Sequence, residues 1–175
     1  MKGPRSPNAV TRLDLSCRLS ILEAYGILFE LTNVEDVKFG DLSSEDPNLA
    51  GTIPHASIKH LLLLTSLSIT SYVDLHPLFL ALAMPKLKHL EWTEGPKTDK
   101  SVLDPSVQVP WHQLEGLVIH YGAEETCNLA AILVQCSQLE RLTLSSAKDN
   151  KLQISFWDQV WKSCYPHRHW PRCFH

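Results

Sequence analysis

One spacing recurs along this chain: an apolar residue, two of any type, an apolar residue, one of any type, an apolar residue. It occurs at Val10-Leu13-Leu15, Val34-Val37-Phe39, Leu64-Leu67-Ile69, Leu87-Leu90-Trp92, Leu114-Leu117-Ile119 and Leu139-Leu142-Leu144. Successive starts lie 24, 30, 23, 27 and 25 residues apart. A single match carries no information. Six at a nearly constant period mark a chain built from stacked copies of one small unit.

The flanks agree with that reading. Residues 26–39 (GILFELTNVEDVKF), 79–92 (FLALAMPKLKHLEW) and 131–144 (AILVQCSQLERLTL) align without gaps. Each has an apolar segment, then Thr32, Pro85 or Ser137, then the motif. Those three residue types suit the end of a helix and the start of a strand. Between motifs the apolar period changes to three and four residues, at Leu19, Leu22, Ala24 and Ile27-Leu28, at Leu75, Leu78-Phe79 and Leu82, and at Cys127, Ala130-Ala131 and Val134. That is the spacing of one helix face. Each unit therefore reads as a short strand, a turn and a helix, the build of a leucine-rich repeat.

A single strand and helix cannot close a core, so the units must stack and bury their apolar positions between a strand layer and a helix layer. The predicted fold is α/β: a leucine-rich-repeat solenoid of about six strand-turn-helix units with a parallel concave sheet. Two units depart from the ideal. Residues 94–111 replace a helix with a polar connection containing Pro96, Pro105 and Pro110, and residues 40–55 lengthen the 30-residue unit. Both are expected to be rim loops. Where a regular repeat carries Asn or Cys, three residues after the last motif position, this chain has Arg18, Leu42, Tyr72, Gly95, Gly122 and Ala147. The side-chain ladder that normally satisfies the turn backbone is therefore not expected, and the repeats are degenerate. The pattern divides the chain into an N-terminal extension (1–9), a repeat domain (10–147) and a Trp/His-rich tail or cap (148–175).

The totals exclude several function classes. The chain has 175 residues, 44% of them apolar and 20% charged, with a formal net charge of −3. This composition fits a globular domain and supplies no electrostatic footprint for nucleic acid or an anionic membrane. No apolar run approaches the roughly 20 residues of a membrane helix. The first residues, MKGPRSPNAVTRLDL, include basic residues but no apolar signal core. Five cysteines (Cys17, Cys127, Cys136, Cys164, Cys173), an odd number with no CxxC spacing, fit a reducing compartment, with most of them acting as small core residues. The expected location is cytoplasmic or nuclear.

Residues 109–144 (VPWHQLEGLVIHYGAEETCNLAAILVQCSQLERLTL) resemble the leucine-rich-repeat region of fungal F-box proteins. In that family a Pro-Trp-x-x-Leu-x-x-Leu strand is followed by a helix and then by a Cys-x-x-Leu-x-x-Leu strand. Pro110, Trp111 and Cys136 match it, and residues 76–92 are similar to the family's leucine-rich helix followed by Pro-x-Leu-x-x-Leu. The resemblance extends over residues 9 to about 147. It implies the substrate-recognition part of a cullin-type ubiquitin ligase subunit, in which an F-box docks the ligase adaptor and the repeats hold a target. No F-box-like segment precedes Val10 here, so adaptor binding is expected only if an F-box exists outside this chain. The alternative is a repeat-only binding scaffold or a truncated fragment with no ubiquitin-pathway role.

No residue pattern points to catalysis: G-x-S-x-G, the P-loop and G-x-G-x-x-G are all missing from the sequence. His120, near Tyr121 and Glu124, reads as a rim residue, and Glu124-Glu125 as acids in the first turn of a helix. The tail contains Cys164, His167, His169, Cys173 and His175, which are zinc-ligand types, but their spacing matches no strong zinc pattern. Trp157, Trp161 and Cys164 could lie on one side of a short capping helix. The expectation is a protein that is not an enzyme and has no cofactor or metal.

Strand side chains alternate, so the positions between motif leucines face away from the core. These are Arg12 and Asp14, Asp36 and Lys38, Ser66 and Ser68, His89 and Glu91, Gly116 and Val118, and Arg141 and Thr143. They predict a mixed-charge stripe on the concave face. Arg12, Asp14, Asp36, Lys38, His89, Glu91 and Arg141 are the candidate contacts for a protein or peptide target. Opposing signs on one surface favour such a partner over nucleic acid.

Overall fold

The fold was analysed in a computed structural model, which describes residues 9–43, 58–73, 75–94, 109–121 and 129–146. The tail 148–175 and its zinc-type residues, Cys127, Glu124-Glu125 and most of the two rim loops lie outside the described residues. In chain order the elements are β1 (Arg12–Leu19), α1 (Ile21–Glu30), β2 (Asp36–Leu42), β3 (Lys59–His60), β4 (Ser66–Ser71), α2 (His76–Leu80), β5 (Leu82–Ala83), β6 (His89–Glu94), β7 (Gly116–Tyr121), α3 (Leu129–Gln135) and β8 (Arg141–Ser146). A short 3-10 turn, Trp111–Gln113, precedes β7.

The protein is α/β, and its main sheet has six strands in the order β1-β2-β4-β6-β7-β8. Every neighbouring pair is parallel. All six motif segments supply these strands, and each lies beside the next in sequence. The register aligns equivalent motif positions. Leu13, Val37, Leu67, Leu90, Leu117 and Leu142 form one row across the sheet, and Leu15, Phe39, Ile69, Trp92, Ile119 and Leu144 form the next. The four inner strands bury both rows almost completely, whereas Leu13, Leu15, Leu142 and Leu144 at the two edges are only partly buried. Stacking explains the gradient: an inner residue has a neighbour on both sides, an edge residue on one.

A repeated hydrogen-bond device sets this register. The carbonyl just before each strand accepts two N–H groups from the start of the next. Thr11 O accepts from Glu35 N and Asp36 N at 2.8 and 3.1 Å, and Glu35 O from Thr65 N and Ser66 N at the same distances. Thr65 O, Lys88 O and Glu115 O repeat the arrangement toward β6, β7 and β8. A one-residue slip of an inner strand would break the pairs to both of its neighbours and turn that strand's buried side chains to the other face.

Helices pack on the core side through Ala24, Tyr25 and Leu28 of α1, Leu78 and Phe79 of α2, and Ile132 and Leu133 of α3. Ser20 starts α1 with a capping box: its hydroxyl accepts from Glu23 N at 3.2 Å, and its N–H donates to Glu23 Oε2 at 2.8 Å. These satisfy two N–H groups that a helix start otherwise leaves open.

The parallel strands of all six expected units are present, and helices are fewer than strands among the described residues. Among the described residues a helix occupies three of the five connections. α2 is five residues long, has Pro77 in its first turn and lacks a side-chain cap. Leu82, expected on that helix, instead belongs to β5, which pairs in parallel with β3 in a separate two-stranded sheet. On α3 the expected inner position Val134 is 66% exposed, and Ile132, Leu133 and Cys136 are buried instead. The cysteine expectation also divides: Cys136 is buried, whereas Cys17 is exposed.

Candidate functional site: the exposed face of the sheet

The side of the main sheet opposite the core carries three rows of side chains. The first is Arg12, Asp36, Ser66, His89, Gly116 and Arg141, and the second is Asp14, Lys38, Ser68, Glu91, Val118 and Thr143. All seven charged or imidazole residues expected on this surface therefore share one face in two aligned rows. Arg12, Asp14, Lys38, Glu91 and Arg141 are exposed, and Asp36 and His89 are half-buried.

A third row, Thr70, Thr93, His120 and Ser145, runs across β4, β6, β7 and β8. Sequence reasoning missed it because the motif ends at its last apolar residue, while these strands continue for two more. His120 is accordingly not a rim residue. It lies within β7, between neighbours on β6 and β8. The extra alternating position beyond each motif was the signal that could have revealed this row.

Opposite charges stand side by side at two places on the face. Arg12 Nη2 lies 3.1 Å from Asp36 Oδ2. Their side chains are 82% and 36% exposed, so the pair adds at most about 1 kcal/mol. Asp14 and Lys38 oppose each other in the second row. Lys88, just ahead of the face, donates to Glu115 Oε1 at 2.6 Å and holds that carboxyl below its ordinary range, with smaller contributions from the charges of His89 and Arg141. The ring of His89 lies over Gly116, whose missing Cβ would stand 2.8 Å from His89 Nδ1.

His120 joins three strands. Its Nδ1 shares a hydrogen bond with the Ser145 hydroxyl, and its Nε2 lies 3.9 Å from Glu91 Oε1. A hydroxyl, an imidazole and a carboxylate are the components of an activated nucleophile. Here the carboxylate stands beyond hydrogen-bond distance of the ring and so does not orient it. The group also sits on an open sheet surface rather than in a water-excluding recess.

Among the described residues, no group of three or more His, Cys, Asp or Glu side chains is placed to hold a metal ion. No helix among them is long and apolar enough to cross a membrane. Comparison of the chain with family models, curated proteins and solved structures returned no match.

Proposed function

We propose that this chain is a leucine-rich-repeat solenoid that acts as a protein–protein interaction scaffold, with the exposed sheet face as its recognition surface. The observation that carries the reading is the alignment of three rows of polar and charged side chains on one face. Parallel pairing in strict order fixes their spacing, so the array is rigid before any partner arrives. Pre-organisation of this kind lowers the ordering cost of binding. The mixed signs suit a protein or peptide and offer nucleic acid no continuous positive track. In this reading the protein is not an enzyme and needs no cofactor.

Within that function, we place the chain as the target-holding part of an F-box-type subunit of a cullin ubiquitin ligase. This rests on the resemblance of residues 109–144 and on the stacked strands, and it requires an F-box outside this chain to reach the ligase adaptor. The alternative is a repeat scaffold without a ubiquitin role.

A photo-crosslinking amino acid at Thr143, on the face, and at Leu62, in the turn ahead of β4, tests the binding surface. In extract from the native cells, the Thr143 probe should capture a discrete protein, lost on Arg141→Glu. Capture from Leu62 alone would overturn the reading. Ubiquitin transfer to the captured protein by the purified native complex would support the ligase role, and its absence would leave the repeat scaffold.

A further inference from the structure

The exposed face is not uniform, and its centre differs from its flanks. β4 contributes only Ser66, Ser68 and Thr70 to it, all half-buried beneath longer neighbours. Thr93 stands beside Thr70 on β6. Small residues on adjoining strands make a trough along β4. In the second row its walls are Lys38 on β2 and Glu91 on β6, both exposed. They flank β4 across two strand spacings, a width of roughly 10 Å.

Two properties of the floor bear on what fits there. The hydroxyls of Ser66, Ser68 and Thr70 make no side-chain hydrogen bond among the described residues. A hydroxyl both donates and accepts, so it can meet either the N–H or the C=O of another main chain. The side chains are also short, so a main chain can come close to the sheet. Walls of opposite sign then select side chains. Lys38 attracts a carboxylate on one side, and Glu91 attracts a cation on the other. The face carries neither Trp nor Phe nor Tyr on β4 or its two neighbours, and its one imidazole there, His89, lies over Gly116 and away from the trough, so a stacking ligand such as a base or sugar ring has no broad platform on the floor.

We propose that this trough binds an extended peptide lying along β4, with an acidic side chain directed to Lys38 and a basic one to Glu91. The proposal rests on the sheet face being the recognition surface and names where on that face the partner lies and what chemistry it has. The floor hydroxyls can meet the open N–H and C=O groups of an extended chain, whereas a helix satisfies those groups within itself.

The test uses the full chain and a phage-displayed library of random peptides. Peptides selected on the wild type should carry an acid and a base at fixed separation. Ser68→Arg fills the trough without touching the core and should weaken the selected synthetic peptides by at least about tenfold. The exchanged pair Lys38→Glu/Glu91→Lys alters only exposed side chains and should select peptides with the two charges reversed. Unchanged affinity in Ser68→Arg, or the same charge order selected by the exchanged pair, overturns the trough, as does a failure to select any peptide. If Ser68→Arg has no effect but Arg141→Glu abolishes binding, the trough fails and the face stands. If no face variant affects binding and Leu62→Asp abolishes it, both fail.

Discussion

The backbone of Ser16 passes so close to Gly40 that a Cβ on Gly40 would stand 2.9 Å from the Ser16 Cα. The cause lies in the pairing. Between Leu15 and Arg18, β1 fits two residues against one of β2, and between Phe39 and Leu42, β2 fits two against one of β4. The bulged strand presses onto its neighbour where Gly40 leaves room. Gly40→Ala should therefore destabilise the protein by about 1–3 kcal/mol, the usual range for overpacking. Urea unfolding measures it. An unchanged midpoint would mean that the bulge relaxes freely.

Leu117 and Leu142 occupy the same row, on β7 and β8, but only Leu117 is fully buried. Leu117→Ala should cost about 2–5 kcal/mol, and Leu142→Ala clearly less, because its edge position already meets solvent. Likewise Leu117→Asp should abolish folding, while Leu142→Asp should leave a weakened fold. Denaturation curves of the four variants test the gradient. Equal losses at the two positions would show that the β8 edge is as enclosed as the centre.

The Cys136 thiol is buried, and burial pushes its pKa up from 9.0 to about 12. A raised pKa means that the folded state holds the proton more tightly than the unfolded state. The resulting stability is complete below about pH 9 and declines as pH rises toward 12. Relative to Cys136→Ala, the wild type should lose stability over that window. At pH 8, peptide mapping after iodoacetamide should find Cys17 modified and Cys136 protected until denaturant is added. Equal labelling of both would contradict the packing of α3.

Much of this architecture was legible in the sequence because the apolar spacing and the strand register are the same fact seen twice. The step of 24 residues from Leu13 to Val37 is also the step from one strand to the next. Once the six motifs are found, parallel pairing and the two face rows follow. The helices were less legible. Spacing of three and four residues at Leu75, Leu78 and Leu82 looks helical, but β5 takes Leu82 into a two-residue pairing with β3, too short to leave a period. Val134 fails for another reason: the buried set Ile132, Leu133 and Cys136 lies two positions, about 200° around the helix, from the expected set Ala130, Ala131 and Val134. The β4 trough was invisible because reading a face for charge passes over its serines.

Lys88 keeps the exposed Glu115 carboxyl ionised below its ordinary range. A lowered pKa gives stability that is present above the unfolded value of 4.5 and lost as pH falls through the folded one. Lys88→Ala should move the Glu115 titration upward in a carboxyl-detected NMR experiment. Its effect on neutral-pH stability should be small, because both side chains reach solvent. A large neutral-pH loss would mean that the pair orders the turn before β7.

Recognition on the exposed sheet face would shield its side chains from solvent while the opposite surface stays open. Hydroxyl-radical footprinting of the complex with the partner captured at Thr143 tests it most directly. His89, Val118 and His120 should become protected, while Phe29, Leu62 and Leu63 stay as reactive as in the free protein. Protection of Phe29, Leu62 and Leu63 with the three face residues unchanged would contradict it.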